Sequence, residues 1–246
     1  MSMNVPVIDL GLLPSSKDEQ GKLKLALCSG GCFQAIGHGI SNSFLNKVRG
    51  VAEQFFQLLQ EEKQKYSRAG YDLVVKQVLD WNTRLFLRVF PEHQRKLNLW
   101  PENPDKIREV LHEYSIKLKQ LVDLLFKAMA KSLALEENIL LQDEQVEGLQ
   151  FVKDEKWITV PVIPRVLVVN LGDQMQIMSN GIFKSPVHRV VTNTDKLRIS
   201  VAMFNEVEPE KEIGPVEGLI DENRPRLYML LSTMNAFRKA KYHLRK

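Results

Sequence analysis

The sequence predicts an α+β fold with a barrel or jelly-roll core. Two observations carry this. Helix-period segments dominate the first 138 residues, and short β-rich runs separated by turn residues crowd the stretch that follows. Strands in such close succession, without intervening helices, pair into a barrel or jelly roll rather than a doubly wound sheet.

The elements follow in order. Val5-Pro-Val-Ile-Asp9 is a short apolar strand. Ser16-Lys-Asp-Glu19 has the spacing of a capping box and opens a helix through about Leu27. Cys32-Phe-Gln-Ala-Ile36 is a second strand, closed by Gly37-His-Gly39. Phe44, Val48, Val51, Phe55 and Leu59 recur at helical spacing and predict one helix from about Ser43 to Lys65. Residues from Ser67 to Lys76 carry no clear period, and Trp81 to Phe90 is an apolar run interrupted by Arg84 and Arg88. Asn103 is placed as an N-cap, with Pro104 at the first helical position. A long amphipathic helix then runs through Ile107, Val110, Tyr114, Leu118, Leu121, Leu125 and Met129 to about Ala134.

Beyond Asn138 the predicted strands are Gly148–Val152, Trp157–Val160, Val166–Leu171, Val187–Val191 and Leu197–Phe204. Asp154-Glu155, Gly172-Asp173, Asn180-Gly181 and Asn193-Thr-Asp195 are the turns between them. The last segment changes character again. Arg224 to Lys246 holds seven Lys/Arg and no Asp or Glu, and Met229, Leu230, Met234 and Phe237 fit one helical face. The predicted organisation is a helical region with short strands over 1–138, a strand-rich core over 139–228 and a basic tail over 229–246.

Composition sets limits on function. The chain has 246 residues, is 44% hydrophobic and 26% charged, and can bury an ordinary globular core. A net charge of +4, spread along the chain, argues against a dedicated nucleic-acid binder. No apolar run approaches the roughly 18 residues of a membrane helix, and no secretory leader precedes the first strand. Two cysteines, Cys28 and Cys32, cannot build a disulfide framework or a cysteine-rich metal site. They fit buried small residues in a reducing cytoplasm, with a monomer as the expected state. Phosphate-loop, nucleotide-fold and nucleophile-elbow patterns are missing, and His112-Glu113 fails as a zinc motif because Ile116 stands where a histidine is needed.

One constellation carries chemistry. His188 is followed ten positions on by Arg198-Ile-Ser200. Residues two apart on a strand point to the same face, so Arg198 and Ser200 can address one ligand. Guanidinium and hydroxyl together suit a carboxylate, through charge-assisted bonds from Arg and one more from Ser. An arginine paired with a protein carboxylate, and a histidine satisfied structurally, are the plainer alternatives.

The chain resembles the plant iron(II)/2-oxoglutarate-dependent dioxygenases. The matching segments are Asn170-Leu-Gly-Asp173, Ser179-Asn-Gly181, Lys184-Ser-Pro-Val-His188-Arg-Val and Arg198-Ile-Ser-Val-Ala. In the N-terminal part Val5-Pro-Val-Ile-Asp9-Leu, Gly31-Cys-Phe-Gln and Gly37-His-Gly39-Ile match as well. Leu85-Phe-Leu-Arg-Val-Phe-Pro-Glu92 is similar to the subgroup of alkaloid O-demethylase-like and norcoclaurine-synthase-like proteins. The resemblance implies a double-stranded β-helix core with the N-terminal helical region packed on it. It places His188 as an iron ligand and Arg198 with Ser200 on the distal carboxylate of 2-oxoglutarate. The implied cofactors are Fe(II) and 2-oxoglutarate, with ascorbate as an auxiliary reductant. The implied reaction is oxidative decarboxylation of 2-oxoglutarate coupled to hydroxylation or demethylation of a small specialised metabolite.

The same comparison exposes a gap. The family's His-x-Asp or His-x-Glu ligand pair is missing, because none of His38, His93, His112 and His243 has a carboxylate two positions on. Glu136-Glu-Asn138 runs straight into Ile139 where the family carries a long stretch with several strands. The jelly roll is therefore expected to be incomplete. Either this chain omits a segment held by a parent protein, or the deletion is real and the chain is an inactive, dioxygenase-like binding protein.

Overall fold

The computed structural model describes residues 5–66, 84–133, 139–144, 146–205 and 211–232. The chain divides into two compact units, residues 1–39 with 118–246 and residues 40–117.

The first unit opens with β1 (Val7–Asp9), α1 (Lys17–Ser29) and β2 (Cys32–Ile36). Ser16 caps α1 as its spacing predicts, its hydroxyl accepting the Glu19 N–H at 3.2 Å. Asp18 and Glu19 lie in the first turn, where carboxylates complement the positive end of the helix. The Glu19 side chain does not close the expected box on Ser16. It accepts the backbone N–H of Asp9 at 2.8 Å and thereby ties α1 to the end of β1. The β2 residues are buried except for Ile36, which is half-buried, because strands flank β2 on both edges and α1 packs beside it.

The second unit holds α2 (Asn42–Gln57), α3 (Gln60–Gln64) and the start of α4 (Ile107–Leu133). The single helix expected over 43–65 is broken at Leu58, whose backbone is extended. Leu59, placed on the apolar face by its spacing, is 75% exposed. Lys63 satisfies the freed carbonyl of Phe56 with a 3.0 Å hydrogen bond, so the break leaves no orphan acceptor there. The start of α4 also differs from expectation. Asn103 is not its cap: residues 104–106 form a turn in which Pro104 O accepts the Ile107 N–H, and Lys106 has a φ of 62°. The segment 67–83, which includes the unassigned stretch and the start of the Trp81 run, lies outside the described residues.

The strand-rich part supplies β3 (Ile139–Glu144), β4 (Leu149–Lys153), β5 (Lys156–Thr159) and β6 (Leu167–Leu171). A short α5 (Asp173–Met178) follows, where only a turn is expected. Then come β7 (His188–Val190), β8 (Ser200–Phe204), β9 (Glu212–Ile213) and β10 (Leu231–Ser232). One sheet has the order β1-β2-β6-β3-β8, parallel between β1 and β2 and antiparallel elsewhere. A second has the order β5-β4-β7, and β9 pairs with β10. Cys32 and Val168 from the first sheet pack with Leu149, Phe151 and Val160 from the second, so the two sheets share a buried interior.

β7 and β8 are edge strands among the described residues. Among the described residues no strand pairs with the outer side of β7 or of β8. Val190 and Phe204 at these edges are 54% and 59% exposed. The expected helical face of the tail is not formed where it can be judged: Met229 and Leu230 are exposed and lead into β10, and Met234 and Phe237 lie outside the described residues. None of the described helices is long and apolar enough to cross a membrane.

Candidate functional site

Strand β7 pairs on one side with β4 and, among the described residues, has no strand on the other. Directly opposed residues of an antiparallel pair share a face. Gln150 opposes Arg189, and Phe151 opposes His188. On the first face the Arg189 Nε donates to Gln150 Oε1 at 2.8 Å, and its guanidinium stacks 4.0 Å from the Trp157 ring centre. Gln150 in turn donates to Thr159 Oγ1 at 3.0 Å, so one polar ladder runs across β7, β4 and β5. The other face belongs to the interior. There Phe151, buried among the shared core, meets the His188 ring with centroids 5.8 Å apart.

The His188 ring is fixed at one nitrogen. Nδ1 lies 3.0 Å from the carbonyl of Pro186, which only accepts, so the neutral imidazole donates from Nδ1 and leaves the Nε2 lone pair available. That is the tautomer a metal ligand needs, oriented by a backbone carbonyl. The approach to His188 is anchored upstream. Gln176 Oε1 accepts the Ser185 N–H at 2.8 Å, Ser179 Oγ accepts the Phe183 N–H, and Asn180 holds both Pro225 O and Leu227 N. The Ser179-Asn-Gly181 match is thus a structural turn that aims the following segment.

Arg198 stands two residues before β8, not within it as its spacing suggests, and Ser200 is the first residue of that strand. The turn between β7 and β8 closes on Asn193, whose Oδ1 accepts the N–H groups of Asp195 and Lys196 at 2.9 Å each. Nε and Nη2 of Arg198 are buried, although the residue as a whole is half-buried. Its side chain lies over Gly148: a Cβ there would stand 2.8 Å from Arg198 Cδ and 2.9 Å from Nε. His188 leans on Phe151 and Arg198 on Gly148, just before β4 and three positions away, so in the extended chain the two supports face opposite sides. Ser200 sits in the other sheet, with Glu144 as its register partner.

Sequence reasoning did not single out Phe151 or Gln176, and it met Gly148 only within Glu147-Gly-Leu-Gln150, a segment that fits the family, with no role assigned. Its residues read as a strand and as a family match, and contacts across the sheet leave no local signal. Asn170 adds a polar atom to the interior: it shares the Val168 face of β6, and its Oδ1 is buried without a hydrogen bond among the described residues. The two thiols are not reactive groups. Burial pushes the Cys32 thiol up to about 12 and raises that of Cys28 as well. His38 is structural, nearly buried, with Nε2 3.0 Å from Arg165 O.

The donor set does not fit an iron(II) ion held by three protein ligands. Among the described residues no three His, Cys, Asp or Glu side chains come together at a metal-binding spacing. His188 alone offers one imidazole. Arg198 and Ser200 fit a carboxylate, by the charge and hydrogen-bonding capacity of their side chains.

Comparison with known proteins matches these elements. The model of the 2OG-Fe(II) oxygenase superfamily matches residues 138–207, and that of the non-haem dioxygenase in morphine synthesis N-terminal region matches residues 5–103. The chain is 32% identical to jasmonate-induced oxygenase 4 of Arabidopsis thaliana, covering 92% of this chain and 79% of the relative. It is 33% identical to codeine O-demethylase of Papaver somniferum, covering 91% and 78%. The crystal structure of JOX2 in complex with 2OG, Fe and JA superposes with a TM-score of 0.86 at 28% identity, over 98% of this chain and 84% of that one. A rice dioxygenase for auxin oxidation shares the fold, with a TM-score of 0.82 at 19% identity, over 98% of this chain and 96% of that one. The alignment with the Arabidopsis relative runs over 278 positions, more than the 246 residues of this chain, so that relative carries internal residues that have no counterpart here.

Proposed function

The chain belongs to the 2OG-Fe(II) oxygenase superfamily, and from that premise we propose that it keeps the cosubstrate-holding half of an oxygenase site. Arg198 and Ser200 bind the distal carboxylate of 2-oxoglutarate, and His188 presents Nε2 to the position of the metal. The supporting observation is the placement of Arg198, with its guanidinium partly buried over Gly148, two residues before Ser200 at the start of β8.

The parent activity is oxidation of a small specialised metabolite by hydroxylation or O-demethylation, the chemistry that the name codeine O-demethylase describes in one relative. The 246-residue polypeptide is an incomplete jelly roll, on this reading. Among the described residues its sheets end at β7 and β8 and no three-ligand cluster forms, its relative carries extra internal positions, and one imidazole cannot replace a three-ligand face. Such a chain binds 2-oxoglutarate without turning it over, as a monomeric cytoplasmic binding protein. Residues 139–228 are the C-terminal part of the core, 1–138 the helical region before it and 229–246 the basic tail.

Two measurements test this on a polypeptide verified by mass. Succinate formation from 2-oxoglutarate, with added iron and ascorbate, is expected to stay at the background of a protein-free control. Turnover above it overturns the inactive reading. Titration of 2-oxoglutarate without metal, followed by amide NMR shifts, is expected to show binding that weakens about 10- to 100-fold in Arg198→Ala, the range for a hydrogen bond to a charged group. Equal binding by that variant removes Arg198 from its assigned role.

A further inference from the structure

We propose that Gly148 is a positioning residue for Arg198: the missing side chain at 148 is the space in which the guanidinium stem lies. This rests on the assignment of Arg198 to the distal carboxylate. Gly148 is not required here by an unusual backbone, because it does not occupy the left-handed region. Its requirement is steric. A Cβ would meet Arg198 Cδ at 2.8 Å, Arg198 Nε at 2.9 Å and the carbonyl oxygen of Val191 at 2.8 Å, all below the closest approach of ordinary carbon contacts.

The backbone has little room to relieve this overlap. Gly148 O accepts the Val191 N–H at 2.9 Å, extending the β4–β7 ladder by one rung beyond Leu149 opposite Val190. A large shift of residue 148 away from Val191 breaks that rung, and a shift toward it tightens the clash with Val191 O. The approach to Val191 O requires a small backbone adjustment, and the two contacts with Arg198 are relieved by its longer, flexible side chain. A methyl at 148 therefore displaces Cδ and Nε and re-aims the fork, while the backbone shifts at Val191 O by no more than the rung can absorb. The displaced fork loses the geometry for paired donation to a carboxylate, which a guanidinium needs more than an ammonium does.

Ligand discrimination tests this directly. Wild-type protein is titrated with 2-oxoglutarate and with 2-oxobutyrate, which has the same 2-oxo acid end and no distal carboxylate. Wild type is expected to prefer 2-oxoglutarate at least tenfold. Arg198→Ala and Gly148→Ala are each expected to abolish the preference, and the double variant to lose nothing more. The Val191 amide, followed by hydrogen exchange, is expected to stay protected in Gly148→Ala. If Arg198→Ala loses the preference and Gly148→Ala keeps it, the positioning role is overturned and the carboxylate assignment stands. If Arg198→Ala keeps the preference, or wild type has none, the carboxylate assignment fails and the positioning role falls with it. If Gly148→Ala loses both the preference and Val191 protection, its effect is on the ladder and the role is overturned.

Discussion

Phe151 and His188 face each other across the β4–β7 pair, their rings 5.8 Å apart and tilted by 56°. The imidazole is exposed and the phenyl ring is 3% exposed, so the buried partner supplies the support. Phe151 also packs with Leu149, Val160, Val168 and Cys32, which makes it the link between His188 and the core shared by both sheets.

Truncating that link should cost the fold. Phe151→Ala removes a buried aromatic ring from a core that spans two sheets, and a loss of about 3–5 kcal/mol is expected. Urea denaturation reads it as a lowered midpoint. A midpoint within error of wild type would show that the interior repacks without the ring and that His188 has no support from it.

Gly31 should tolerate no side chain. Its φ is 67°, and a Cβ would stand 1.8 Å from Lys184 O, in the segment that leads to His188. Lys184 is tied by its own N–H to Leu27 O at 3.0 Å, so it cannot retreat freely. Gly31→Ala is expected to cost about 2 kcal/mol or more, about 4–8 °C in a melt of a chain this size. Gly21→Ala is the control with the opposite sign. Gly21 is exposed within α1 and has nothing within 4 Å, so the methyl should stabilise by up to about 1 kcal/mol. Equal melting shifts for the two would refute the steric account.

Glu19 should make the chain acid-sensitive. The Asp9 N–H, and then Lys22 at 2.9 Å, hold its carboxyl below the ordinary value of 4.5. A carboxylate with a depressed folded value stabilises above its unfolded pKa and loses that contribution as pH falls through the folded one. Wild type should therefore exceed Glu19→Gln in urea midpoint at pH 7, with the difference shrinking below about pH 4.5. A gap that stays constant from pH 7 to pH 3 would mean that Glu19 acts by packing and not by charge.

Cys32 should be inert in the folded chain. With its thiol pushed up to about 12, almost no thiolate exists at pH 8, and the side chain is only 7% exposed. Alkylation at pH 8, read by peptide mass, is expected to spare Cys32 until denaturant is added, and to modify the half-buried Cys28 slowly. Rapid native labelling of Cys32 would show that β2 opens far more readily than its central place in the sheet implies.

The parts legible in the sequence are those encoded over a few residues. The Ser16 cap, the bounds of β2 and the order of strands β4 to β8 follow from local spacing. Where local signals conflict with surroundings they mislead. Leu59 continues the apolar period of α2 and still lies exposed beyond a break, and Pro104 belongs to a turn, not to the helix after it. Gln176 reads as an unremarkable polar residue, because its Ser185 and Tyr228 partners come from other parts of the chain.

By itself, the amino-acid order determined the ancestry and the helix-then-strand plan, and it singled out the three residues that we propose as the remaining half of the site. Only the tertiary structure decided that Phe151 backs His188, that Arg198 fills the space over Gly148, and that β7 and β8 are the outermost strands of their sheets among the described residues. The reason is physical. Periodicity specifies which face of a segment leaves water, whereas the partner that covers that face is chosen by packing between residues far apart in the chain.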